Sequence, residues 1–300
     1  MAVKDMGASV LSRLKKQAKQ TKMNYQTCLQ LFVQEEFLRR LEVSGYVNNF
    51  VLKGGMFLYT ISKYEGRPTM DIDFMLKRIS NDIEELKEIV AKICEADTHN
   101  DYIEMKVTGA KNITPEKKYP GVSINMMAYI KNVRIPFSVD IGVDDVIIPG
   151  MVMRTVPTRL DGFKEPCVYT YSLESAMAEK FEAILKRMTA TSRMKDFYDL
   201  FYWSKMFDFD GRVLLEAIFE TLQHRGTPYE INSLKQIRAF DQNKFLCKLW
   251  NNYNPGPMIE KPDFSTVLIQ IEKFIGPVYD AMLRENEFLK KWYSKKSMWQ

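Results

Sequence analysis

Two kinds of apolar spacing run along this chain, and they are unevenly distributed. Over residues 8–22 the spacing is helical: Val10, Leu11 and Leu14 fall on one side and lysines on another. Residues 25–43 predict a stronger amphipathic helix, with Leu29, Leu31, Phe32, Phe37, Leu38 and Leu41 among its apolar positions and Gly45 at its end. The block 50–77 reads as a short lead-in, Gly54-Gly55, a helix from Met56 to about Lys63, a Gly66-Arg67-Pro68 turn and a strand over Met70–Leu76. A further helix is predicted over 81–95, with Asn81 as its N-cap. Strand-like stretches follow at 101–109, 121–130 and 134–143, the first two separated by a loop over 111–120. Pro136 predicts that the third is short or lies at a sheet edge. Residues 144–170 read as loops and short strands.

From residue 171 the spacing becomes helical throughout. Helices are predicted over 172–188, capped by Ser172, and over 194–207, 210–225, 231–251 and 264–293. The expectation is an α+β protein: a mixed sheet with flanking helices and an N-terminal helical arm over 1–165, then a helical domain over 166–300.

Composition changes this picture only by exclusion. Hydrophobic content of 46% and charged content of 27% are those of a globular protein. There is no apolar leader and no run long enough for a membrane span, so a cytoplasmic protein without a membrane partner is expected. The four cysteines have no metal-type spacing, and the two histidines, His99 and His224, lie far apart. Histidine-dependent catalysis and zinc sites are therefore poor first guesses. The net charge of +5 is mild and spread over both halves, but lysines cluster locally at 15, 16, 19 and 22 and at 290, 291, 295 and 296. These clusters read as solvated helix faces or as the footprint of a phosphate polymer.

The chemistry concentrates in the 50–77 block. Asp71 and Asp73 are two apart on a strand and so share a face, where two carboxylates repel unless a cation neutralises them. Hard oxygen ligands suit Mg²⁺. Gly54-Gly55 opens the preceding helix, whose free N–H groups and positive dipole end form a phosphate site that glycine lets a ligand approach closely. A third acid, Asp140, lies mid-strand between Val139 and Ile141. Together these parts suit metal-assisted phosphoryl or nucleotidyl transfer.

The same residues resemble the nucleotidyltransferase superfamily of the DNA polymerase β type, with its GG helix start, hDhD strand and third carboxylate. Within it, the chain is most similar to the AbiEii/AbiGii toxins of abortive-infection and type IV toxin–antitoxin systems. The matching segments are Leu52-Lys53-Gly54-Gly55, Arg67-Pro68-Thr69-Met70-Asp71-Ile72-Asp73-Phe74, Lys180, and Lys195-Asp196-Phe197-Tyr198-Asp199-Leu200. Two features depart from the pattern: a long gap between Gly55 and Asp71, which predicts a turn insertion around Tyr64–Pro68, and Lys195 where arginine is common.

The resemblance implies a nucleotidyltransferase core closed by a helical domain. It implies that Asp71 and Asp73, with Asp140 as a third ligand, hold Mg²⁺. Gly54 and Gly55 would cradle the triphosphate, aided by Thr69, Lys53 and Arg67. Lys180 would be a charge on the phosphates. Asp196 would orient Lys180 or contact base or acceptor, and Asp199 shares its helix face. The implied reaction moves a nucleotidyl group from a nucleoside triphosphate to an acceptor, with RNA such as tRNA as the expected one. The implied partner is a cognate antitoxin, acting with or without direct contact, in a system of phage defence. Two other readings stay open at this point: a small-molecule nucleotidyltransferase of the antibiotic-modifying kind, and a nucleotide-binding toxin without catalysis.

Overall fold

The computed structural model describes residues 5–113, 120–257 and 259–300. The chain divides into two compact units. The first comprises Met1–Asp144, Val152–Tyr171 and Gly256–Met258, and the second Asp145–Met151, Ser172–Pro255 and Ile259–Gln300. The main division therefore falls at Tyr171/Ser172, a little beyond the expected 165/166, because the stretch 167–170 pairs into the first unit's sheet.

In the first unit, helices α1 (Met6–Thr21) and α2 (Tyr25–Val43) precede β1 (Phe50–Lys53), α3 (Gly54–Ile61) and β2 (Asp71–Leu76). Then come α4 (Ile83–Glu95) and the strands β3 (Ile103–Ile113), β4 (Gly121–Ile130), β5 (Val133–Gly142), β6 (Val152–Thr155) and β7 (Cys167–Thr170). Of the loop expected over 111–120, residues 111–113 belong to β3, and 114–119 lie outside the described residues. Seven strands form one mixed sheet in the order β3-β4-β5-β2-β1-β7-β6. β2 runs parallel to β5 and antiparallel to β1. Ile72, Phe74, Val139, Ile141, Val122 and Ile124 occupy one face and are fully buried. Phe37 of α2 meets Phe74 and Phe137 there, at ring-centroid distances of 6.0 and 6.4 Å.

Three local expectations are corrected here. The N-cap of α4 is Asp82, whose Oδ1 accepts from the backbone N–H groups of Glu84 and Glu85, while Asn81 instead donates to the Pro120 carbonyl. β5 is an interior strand of ten residues rather than a short or edge one. Pro136 is tolerated because β2 begins opposite Ser138, so β5 has only β4 beside it at the proline. The proline's carbonyl accepts from Gln30 Nε2 at 2.8 Å.

Helix α2 is also not simply amphipathic. Gln34, Glu35, Glu36, Arg39 and Arg40 are all buried with its apolar residues. Glu36 binds Arg39 Nε at 2.7 Å, Arg40 Nε at 3.2 Å and Asn100 Nδ2 at 2.8 Å, so this buried charge is paired and hydrogen-bonded. Burial pushes the Glu35 carboxyl up to about 7, against the pull of Arg159 and Arg39. Gln34 Nε2 donates to the Met70 carbonyl at 2.8 Å, tying α2 to the residue that precedes Asp71.

The second unit contains α5 (Leu173–Arg187), α6 (Met194–Met206), β8 (Phe209–Asp210), α7 (Gly211–His224), α8 (Ser233–Arg238), α9 (Lys244–Asn252), α10 (Phe264–Leu283), β9 (Lys291–Tyr293) and β10 (Met298–Trp299). Ser172 caps α5 by accepting from the Ser175 N–H at 3.1 Å. The unit is not all helical: β8, β9 and β10 form a small sheet. The helix expected to run to residue 293 ends at Leu283, where Glu285 adopts φ +55° and the Asn286 N–H returns to the Ala281 carbonyl at 2.9 Å. The chain beyond carries Trp292, which packs edge-to-face against Phe274 at a centroid distance of 5.0 Å and is fully buried, a better outcome for an indole than exposure on a longer helix. The helix expected over 231–251 is likewise two helices, with Asn243 capping the second.

Candidate active site

Two groups of candidate side chains form, one in each unit. The first is built by sheet register. β2 and β5 pair in parallel with Asp71 opposite Ser138 and Asp73 opposite Asp140. Paired residues share a face, so Asp71, Asp73 and Asp140 all lie on the side opposite the apolar core. β1 adds Lys53 opposite Asp73, and β4 adds Ser123 opposite Asp140. Ser123 Oγ donates to Asp140 Oδ1 at 2.6 Å. Asp71, the first residue of its strand, is exposed; Asp73 and Asp140 are half-buried.

The glycine pair is held against these acids. Gly54 begins α3 with φ +65°, a conformation that glycine adopts without strain. A Cβ there would lie 2.1 Å from Asp73 Oδ2, and one on Gly55 would lie 2.8 Å from Thr69 Oγ1. The sequence Gly-Gly is thus what allows the start of α3 to sit directly against Asp73 and Thr69. Lys53 is the N-cap of α3 and gives no side-chain cap, so no side chain of the cap residue covers the first N–H groups of the helix. Its ammonium instead lies 3.3 Å from the Tyr171 hydroxyl and 4.9 Å from that ring's centroid. Thr69 is buried, and Arg67 is half-buried in the turn between α3 and β2. That turn contains two successive left-handed residues, Lys63 and Tyr64, where the insertion is expected.

The family resemblance implies Mg²⁺ here, and the donor chemistry fits it. Mg²⁺ is usually bound through one or two carboxylates plus substrate phosphates rather than by an all-protein cage. Two carboxylates on one face beside a phosphate-type helix start match that demand. Among the described residues, no group of three or more His, Cys, Asp or Glu side chains is already gathered as a metal cluster, and one oxygen of Asp140 is engaged by Ser123.

The second group lies in the helical unit. Lys180 of α5 places its ammonium 3.0 Å from Asp196 Oδ1 and 2.7 Å from Asp199 Oδ2, both on α6. The two carboxylates are 2% exposed and the lysine 11%. Arg193, just before α6, binds the other oxygen of Asp196 at 2.6 Å. Burial alone would raise the Asp196 carboxyl, but Lys180 and Arg193 outweigh it and hold it at about 2. The three residues singled out from sequence in this region are therefore brought together, with Asp196 orienting Lys180. Sequence reasoning missed Arg193, Tyr171 and Ser123. Arg193 was detectable in principle, since it stands three residues before Asp196 at a helix start. Ser123 and Tyr171 become partners only through strand pairing.

A glycine-opened helix beside carboxylates on a mixed sheet, with a helical unit following, is the architecture of nucleotidyltransferases. The family model described as nucleotidyl transferase AbiEii toxin, type IV toxin–antitoxin system, matches residues 36–274, and the chain belongs to that family. It is a nucleotidyltransferase of that class, and membership carries with it a nucleoside triphosphate substrate and a cognate antitoxin. Among solved structures, the fold is similar to that of MenT4, a nucleotidyltransferase toxin of Mycobacterium tuberculosis H37Rv. The identity is 17%, the TM-score 0.59, and the match covers 91% of this chain and 92% of that one. JHP933 from Helicobacter pylori matches at 13% identity and a TM-score of 0.46, over 84% of this chain and 94% of its own. No curated protein sequence matches the chain. No helix among the described residues is long and apolar enough to cross a membrane.

Proposed function

We propose that this toxin transfers a nucleotidyl group from a nucleoside triphosphate to an RNA acceptor such as tRNA, with Mg²⁺, and so arrests growth. The observation that carries the reading is the placement of Asp71, Asp73 and Asp140 on one sheet face, with the uncapped glycine start of α3 pressed against Asp73. In the reaction, an acceptor hydroxyl oxygen bonds to the α-phosphorus, the bond from that phosphorus to the β-bridging oxygen breaks, and pyrophosphate leaves. Mg²⁺, when bound, supplies positive charge to the phosphate oxygens. Asp71 and Asp73 hold it. Asp140, fixed by Ser123 through one oxygen, keeps its second oxygen for the metal or for the acceptor's hydroxyl proton. The first N–H groups of α3, with Thr69, Lys53 and Arg67, receive the triphosphate. In the helical unit, Asp196 and Asp199 hold the Lys180 ammonium in place as that unit's candidate catalytic cation.

The acceptor class rests on charge. Helix α1 presents Lys15, Lys16 and Lys19 to solvent with no acidic residue in its sequence, and Lys290, Lys291, Lys295 and Lys296 are exposed near the other end of the chain. Incubation with each α-phosphate-labelled nucleoside triphosphate, Mg²⁺ and total cellular RNA tests the proposal. One RNA size class should become labelled, less efficiently as salt rises. Label that moves only to small molecules would overturn the RNA assignment.

A further inference from the structure

The carboxylates occupy the middle of a row that crosses five strands. Register places Lys53 of β1, Asp73 of β2, Asp140 of β5, Ser123 of β4 and Lys111 of β3 side by side on one face. Lys111 reaches that face only because the strand is irregular. β3 and β4 pair Val107 with Met126, then Gly109 with Asn125, leaving Thr108 as an extra residue. Without it, the register would put Ala110 opposite Ser123 and turn Lys111 toward Val122, in the buried core. A bulge of this kind re-aims every side chain that follows it. Here it exposes a lysine two strands from Asp140, about 10 Å between backbones at ordinary strand spacing.

The face continues away from the acids. The next rows hold Gly109, Asn125, Ser138 and Asp71, then Lys106, Met127 and Pro136, then Glu104, Tyr129 and Arg134. Lys106, Asn125 and Arg134 are exposed; the Lys106 ammonium pairs with Glu104 at 2.6 Å and sits 5.8 Å from the Tyr129 ring centroid. From Ser123 to Tyr129 this surface runs roughly 20 Å, the span of several nucleotides. The donor side of the acids is already taken, since α3 and its glycines lie against Asp73 on the β1–β2 side.

We infer that the open face of β3, β4 and β5 is the acceptor track, and that Lys111, aimed by the Thr108 bulge, binds the acceptor phosphate nearest the reacting hydroxyl. This assignment rests on the RNA reading above, and goes beyond it by naming the surface and the residue. The test uses the full chain, the labelled nucleoside triphosphate and total cellular RNA. Lys111→Ala should raise the half-saturating RNA concentration about tenfold while leaving that for the nucleoside triphosphate unchanged, and Lys111→Arg should restore most of the loss. Direct RNA binding by the Lys111→Ala protein should lose about 0.7 from the slope of log affinity against log salt, the value for one phosphate contact on a single strand. Lys53→Ala, on the other end of the row, should instead raise the half-saturating nucleoside triphosphate concentration. The inference is overturned if wild type labels RNA and Lys111→Ala does so with unchanged RNA dependence and salt slope. Failure of wild type to label any RNA overturns the underlying reading instead, and the two results cannot be confused.

Discussion

The two charged groups of this protein are built on opposite plans. On the sheet, acids are gathered with acids: register sets Asp73 beside Asp140, with Asp71 on the same face, in a setting open to solvent at Asp71. In the helical unit, each buried acid is matched: Lys180 bridges Asp196 and Asp199, and Arg193 adds a second cation to Asp196. The first arrangement sets carboxylates side by side on an accessible face, where a cation can reach them. The second is satisfied within the chain, so it serves the fold while keeping a lysine in a fixed position. Removing an acid should therefore have contrasting effects in the two places.

The largest effect is expected at the sheet. Asp73→Asn should reduce nucleotidyl transfer by about a thousandfold, roughly 4 kcal/mol of barrier, with a melting temperature equal to or above that of wild type. An Asp73 variant that melted far below wild type would break the contrast. Next, Asp196→Ala should destabilise the protein by about 3 kcal/mol, because it leaves Lys180 and Arg193 facing a buried gap; thermal or urea unfolding measures it.

The pH dependence sharpens the same point. Asp196 is held at about 2 in the folded protein, below its ordinary value. A depressed carboxyl contributes stability that is complete above the unfolded pKa and is lost as pH falls through the folded one. About 2 kcal/mol should thus disappear between roughly pH 5 and pH 2, and the Asp196→Asn protein should lack that component. A smaller loss of stability than at Asp196 is expected at Gly54. Alanine there meets Asp73 and a left-handed backbone, which should cost about 1–2 kcal/mol together with much of the transfer activity. An active, equally stable Gly54→Ala protein would show that close contact between α3 and Asp73 is dispensable.

Much of the site was readable from residue order because its parts are local. Asp71 and Asp73 share a face by strand periodicity alone, and Gly54-Gly55 marks a helix start by its lack of side chains. Lys180, Asp196 and Asp199 came from family resemblance, and their meeting required two helices to pack. What the sequence hid depends on pairing or on burial. Strict alternation along β3 puts Lys111 on the core face, and only the extra Thr108 reverses it. The charges of α2 look like a solvent face in sequence, yet they are buried: Glu36 pairs with Arg39 and Arg40 on its own helix and accepts from Thr98 and Asn100, which lie far along the chain. The end of α10 is hidden because helical spacing continues past Leu283, while packing of Trp292 edge-to-face and of Trp299 stacked on Phe274 takes the chain into a sheet.

The central claim is that the acids of the sheet face perform the chemistry and do not hold the fold. It is tested most directly by measuring, in the same samples, transfer of α-phosphate label to total cellular RNA and the unfolding midpoint for wild type and Asp73→Asn. Wild type should label RNA, the variant should do so at least a thousandfold less, and the midpoint should not fall. Undiminished labelling by the Asp73→Asn protein would contradict it.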